Sequence, residues 1–191
     1  MSYLLNAISL LLGIAFDAVV ILFLLRVAAE ACRAEFHNPL SQFVYRATNP
    51  VLAPMRRVLP NWRRINLAAL LVAWFVVLVK HAVLFAVMGI APHVLGLIVL
   101  AAAKLFDFAL LCYLIVVFAW ALLSMFAPDP RQPFQRLLSD LAAPLVRPLE
   151  GRVSIGAIDF SPTIVILVLL LARLLVAAPL IDLGMRLTLA G

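Results

Sequence analysis

The sequence predicts an all-α, polytopic membrane protein: four transmembrane helices arranged as two tandem units, each a span, an amphipathic helix and a second span. Three observations carry that expectation. The 191 residues are 66% apolar and only 13% charged, with a mean hydropathy of +1.17. Four apolar stretches stand apart at Leu4–Leu25, Leu67–Ile90, Leu95–Phe126 and Thr163–Leu187. The chain also repeats itself internally. A soluble domain is about half apolar and about a quarter charged, so the surplus here would lie on its surface as large sticky patches. Hydrocarbon is the solvent that fits, and the chain is long enough for four spans of about 20 residues and two loops.

The first stretch lacks a basic leader and a small-residue cleavage site, and is expected to be a retained span. The third stretch has 32 residues, which as one straight helix would reach about 48 Å against a hydrocarbon core of about 30 Å. It is therefore either one tilted or projecting helix, or two helices. The Gly89–Val94 connector, with Pro92, joins the second and third spans as a hairpin.

Charge placement orients the spans. Between the first two, from Arg26 to Arg64, lie seven Arg and two acids; between the last two lie Arg131, Arg136, Arg147 and Arg152. The Gly89–Val94 connector and the extreme termini carry no Lys or Arg. By the positive-inside rule both long loops are cytoplasmic and both termini face outside. The same rule accounts for the formal charge of +6, so the basic loop residues Arg46, Arg56, Arg57, Arg63 and Arg64 do not call for nucleic acid. Anionic lipid headgroups at the cytoplasmic face are the expected partner.

Shifting the chain by 94 residues places Pro39, Pro50 and Pro54 on Pro133, Pro144 and Pro148. The shift divides the chain into units 1–93 and 94–191, with amphipathic segments 38–60 and 131–150. Leu40, Phe43, Val44 and Val51 in the first segment, and Phe134, Leu137, Leu138, Leu141 and Leu145 in the second, follow the rhythm of one helical face. Asn38 before Pro39 reads as a helix start, and Pro50 and Pro144 are expected to end each helix. That face lies in the headgroup layer or docks a protein partner.

Each unit places an acid in its first span and a cation in its second: Asp17 with Lys80, and Asp107 with Arg173. Ionised groups in hydrocarbon cost at least about 2.5–3.5 kcal/mol each, so they pair or line a polar path. Both readings stand: two ion pairs that fix helix register, or a charged seam for ions. Asp182 and Arg186 read as a pair one turn apart. His81 is expected to be packed or hydrogen-bonded. No catalytic residue, cofactor site or metal-ligand spacing is evident, and the two cysteines suggest no disulfide framework. Enzyme activity is not expected. Ile158-Asp159-Phe160-Ser161-Pro162 opens the last span, with Ser161 as N-cap and Pro162 at the first helical position.

These motifs resemble the YggT (YlmG-like) family of bacterial and plastid membrane proteins. The resemblance rests on the doubled segment Asn38-Pro39…Asn49-Pro50…Pro54-Met55-Arg56-Arg57-Val58-Leu59-Pro60, echoed by Pro133…Pro144…Arg147-Pro148. It rests also on Arg26 at the end of the first span, with Trp120-Ala121-Leu122-Leu123-Ser124 in the third, and on the box at Ile158–Pro162. The first unit has Ile65-Asn66-Leu67-Ala68-Ala69 in place of the box, and Val116 stands where the second unit would repeat Arg26. The resemblance implies an inner-membrane or plastid-membrane protein linked to osmotic tolerance, cell division or cofactor assembly of membrane proteins, without catalytic residues to carry over. The expected role is a non-enzymatic accessory protein organising lipid or a membrane, division or assembly partner. A small homo-oligomeric ion channel is the alternative.

Overall fold

A computed structural model describes residues 2–35, 38–56, 59, 65–126, 132–150, 154–155 and 158–190. Arg57, Arg63, Arg64, Arg131 and Arg152 lie outside them. Helix α1 spans Ser2–Ala31, α2 Pro39–Met55, α3 Leu67–Val87, α4 Val94–Phe126 and α5 Pro133–Val146. A two-residue antiparallel pair, β1 Ser154–Ile155 and β2 Ile158–Asp159, precedes α6 Ser161–Ala172. A π turn at Arg173–Ala177 leads into α7 Ala178–Leu189. Among the described residues, four helical stretches are long and apolar enough to cross a membrane: Tyr3–Ala31, Leu67–Val87, Val94–Met125 and Ser161–Leu189. The third apolar stretch is one helix.

The two units share one plan. In the first, α1 packs on α3 and α2 lies across both; in the second, α4 packs on α6 and α5 lies across them. Ala68, Ala69 and Ala73 on α3 are fully buried, and these small side chains let Val20 and Phe23 of α1 approach closely. Val117, Ala142, Val146, Val165 and Leu169 form the matching core of the second unit. The units meet mainly along α4, which also contacts α3 and α7. Gly184 of α7 sits so close to Leu100 of α4 that an added Cβ would lie 2.7 Å from the Leu100 Cα. Gly96 meets the Leu187–Thr188 backbone in the same way, and the His93 N–H donates to the Thr188 carbonyl.

Both amphipathic helices start at their expected prolines, Pro39 and Pro133. Neither ends at its next one: α2 runs through Pro50 and Pro54, and α5 through Pro144. An interior proline costs about 3 kcal/mol through a lost hydrogen bond and a ring clash. Continuing the helix buries Leu52 (0% exposed) and Val146 (1% exposed) beyond those prolines, and each such side chain returns about 1.5–3 kcal/mol. Packing outweighs the breaker. In the last span Pro179 cannot donate to Leu175, and the chain adopts i→i+5 spacing, with the Ala178 N–H bonded to the Arg173 carbonyl.

Candidate functional site

The intramembrane charges meet within each unit. Lys80 Nζ donates to Asp17 Oδ1 at 2.6 Å. Arg173 Nε donates to Asp107 Oδ1 at 2.8 Å, and its Nη2 donates to Oδ2 at 3.1 Å. The first pair is a single bond to a point charge; the second is a two-pronged fork, the stronger and more directional arrangement. Arg173 opens the π turn, so the helix irregularity set by Pro179 lies beside the fork. His81 Nδ1 lies 2.8 Å from the Val77 carbonyl, a bond that needs the proton on Nδ1. Asp182 and Arg186 form no ion pair among the described residues, contrary to their spacing; both side chains are exposed.

The sequence alone does not single out a second polar cluster that the fold assembles. Arg26 is 1% exposed at the loop end of α1, with Nε 2.8 Å from Glu30 Oε1. Its guanidinium lies 3.4 Å over the Tyr45 ring, and Nη2 reaches Asn49 Oδ1 at 3.5 Å. Arg56 Nη2 donates to the same Glu30 oxygen at 2.8 Å. Two arginines thus share one carboxylate, and the buried one stacks on an aromatic face, tying α1 to α2. Burial, with the Glu30 charge next, pushes the Tyr45 phenol up, against the opposing pull of Arg26 and Arg56. The available signal was a pair of matched i, i+4 spacings, Arg26–Glu30 and Tyr45–Asn49, on two adjacent helices.

The amphipathic helices present two stripes where one apolar face was expected. On α2, Ser41, Val44, Thr48 and Leu52 are buried against the bundle, while Leu40, Phe43, Ala47 and Val51 are exposed. On α5, Leu137, Leu138, Leu141, Ala142 and Val146 are buried, while Phe134 and Leu145 are exposed. Phe43 is 65% exposed and Phe134 52%. Arg46, Arg56, Arg136 and Arg147 are exposed on the same two helices or at their ends.

The N-terminal ends of α2 and α5 are fastened together. Asn38 Oδ1 accepts from the Leu40 N–H at 3.0 Å, and Asn38 Nδ2 donates to the Pro133 carbonyl at 2.6 Å. One side chain therefore caps α2 and holds the first residue of α5. Arg136 Nη1 pairs with Glu35 at 3.1 Å, and the Glu35 N–H donates to Asp140 at 3.2 Å. Cys32 Sγ lies 3.4 Å from the Tyr113 hydroxyl.

The box at the start of the last span works differently from its expected capping role. Phe160 is the N-cap residue and makes no side-chain cap bond. Ser161 is the first helical residue, fully buried, and its hydroxyl donates to the Leu149 carbonyl at 2.8 Å. The antiparallel pairing of β1 with β2 lies between α5 and Ser161, which meets the end of α5. In the first unit Asn66 precedes α3 and does cap it, accepting from the Ala69 N–H at 3.0 Å. Between α1, α3 and α4 runs a groove of 540 Å³ lined by Leu24, Leu70, Trp74, Leu105 and Phe106 among others, a surface suited to hydrocarbon. Among the described residues no group of three His, Cys, Asp or Glu gathers as a metal site would need.

The comparisons agree with this two-unit plan. No solved structure matches the chain significantly. The uncharacterised protein YggT of Escherichia coli K12 is 35% identical over 179 residues, covering 90% of both chains. An uncharacterised protein encoded beside proC in Vibrio alginolyticus is 30% identical over 178 residues, covering 89% of this chain and 93% of its own. Protein PA0392 of Pseudomonas aeruginosa, also uncharacterised, is 31% identical over 156 residues, covering 80% of this chain and 79% of its own. The CCB3/YggT family profile matches residues 1–87 and again 99–180, one segment in each unit, and the chain is a member of that family.

Proposed function

We propose that this protein is a non-enzymatic accessory protein of the bacterial inner membrane. In this reading α2 and α5 form one cytoplasmic surface that organises anionic lipid or a membrane partner complex, in the service of osmotic tolerance or cell division. The single observation behind it is the second apolar stripe. After each amphipathic helix has buried one stripe in its own bundle, Leu40, Phe43, Val51, Phe134 and Leu145 remain outside, bordered by Arg46, Arg136 and Arg147. Spans on either side hold both helices at the membrane, where such a stripe enters the acyl boundary and arginines meet lipid phosphates. The clamp at Asn38 makes the two helices one unit.

The channel alternative draws less support. Asp17 and Asp107 each have a cation within hydrogen-bond distance, which favours a register lock over a conducting path. Growth of a deletion strain under osmotic shock separates the two, at matched protein abundance. The accessory reading expects Phe43→Asp with Phe134→Asp to fail and Asp17→Asn to rescue. The reverse pattern would discard it in favour of ion flux.

A further inference from the structure

At the connector end of the bundle Lys104 and Asp182 carry opposite charges that find no partner among the described residues, and Arg186 is unpaired there too. Lys104 lies on α4 between buried Ala103 and Leu105, and makes no hydrogen bond or ion pair among the described residues. His81 on α3 lies near enough to feel its charge and offers it no counter-ion. Asp182 lies on α7, exposed, and is likewise unpaired among the described residues. The two sit at one depth. Gly184 packs against Leu100, and the helices run antiparallel, so Asp182 is level with about residue 102 of α4, within about 3 Å of Lys104 along the axis. Asp182 is about 10 Å from the end of α7, inside the apolar span Ser161–Leu189. Arg186 is one turn nearer that end, where a long side chain can extend toward the headgroups.

An ionised group left at hydrocarbon depth costs about 2.5–3.5 kcal/mol or more, so each of these charges calls for a partner. We infer that the partner is a second copy of this chain, related by a two-fold axis along the membrane normal, with Lys104 of each copy paired to Asp182 of the other. A two-fold interface is self-complementary, and it satisfies both charges twice with no further component. Equal depth is what such an axis requires, because it moves no residue up or down. On the same face of α7, Pro179 and Leu189 are exposed beside Asp182 and supply apolar packing surface.

Charge reversal in trans tests this. Full-length protein, labelled for energy transfer and reconstituted at low density in phosphatidylcholine–phosphatidylglycerol vesicles, should associate as wild type. Lys104→Asp alone and Asp182→Lys alone should each lose the transfer signal, because each would bring like charges together. Mixing the two variants should restore it, since the carboxylate introduced on one copy then meets the ammonium introduced on the other. An internal Lys104–Asp182 pair would not be rescued by mixing. A monomeric wild type, or a mixture that stays dissociated, overturns the proposal. If either reversal fails to fold, Lys104→Gln and Asp182→Asn serve instead: each should weaken association by about tenfold, and unchanged association overturns the proposal equally.

Discussion

The two units of the bundle have the same plan and different joints. Where α1 meets α2, the first unit buries Arg26 with Glu30, Tyr45, Asn49 and Arg56 around it. Where α4 meets α5, the matching positions are Val116, Trp120, Ser139, Ala143 and Glu150, and Val116 and Trp120 pack on an apolar core. At these positions one joint is held by directional polar contacts and the other by apolar burial. The ion pairs differ in the same spirit, with a single lysine bond in the first unit and an arginine fork in the second. A duplicated architecture therefore does not need duplicated chemistry. What persists is the geometry of spans and amphipathic helices, and what varies is the means of closing each joint.

The largest expected break is at the polar joint. Arg26→Leu should destabilise the protein by about 3–5 kcal/mol, since Glu30 loses its buried partner and Asn49 and Tyr45 lose theirs. Thermal unfolding in detergent would read this, with Val116→Leu in the second unit as a near-neutral control. The ion pairs should come next. Asp107→Asn strands Arg173 in hydrocarbon and should cost about 2–3 kcal/mol, and Asp17→Asn less, because a lysine ammonium snorkels more readily than a forked guanidinium. Equal losses at the two positions would mean that the fork adds nothing.

A smaller difference is expected at the helix starts. Asn38→Ala removes a cap and the bond to Pro133 and should cost about 1–2 kcal/mol. Gln132, its counterpart before α5, makes no cap bond, and Gln132→Ala should be close to silent. The smallest effect is one of pH. Tyr45 is raised in the folded protein, so its contribution is intact below the ordinary phenol value of about 10 and is lost as pH rises through the folded value. Melting curves at alkaline pH should show wild type losing more stability than Tyr45→Phe, which keeps the ring under Arg26.

Much of the fold was legible because it follows from coarse periodic signals. Hydropathy alone marks four spans, and the 94-residue proline offset marks the starts of α2 and α5 to the residue. The ends were not legible, because Leu52 and Val146 offset Pro50 and Pro144 through tertiary burial that local sequence does not encode. The split of the apolar face was hidden for a similar reason: periodicity places Phe43 and Val44 on one arc, and only the position of the bundle buries Val44 and leaves Phe43 out. The polar joint at Arg26 went unread because Tyr45, Asn49 and Arg56 reach it from a different helix. Ser161 looked like a cap since Ser-Pro is a local pattern, yet its bond to Leu149 crosses to the end of a different helix.

The central claim is that α2 and α5 form one lipid-contacting surface, and a depth measurement tests it most directly. With Cys32 and Cys112 replaced by serine, Phe43→Cys and Phe134→Cys variants would carry an environment-sensitive fluorophore in nanodiscs containing nitroxide-labelled lipid. Both positions should be quenched strongly by a nitroxide at the top of the acyl chain and only weakly by a water-soluble quencher. Strong quenching from water and little from lipid, at both sites, would place the stripe in solution and contradict the account.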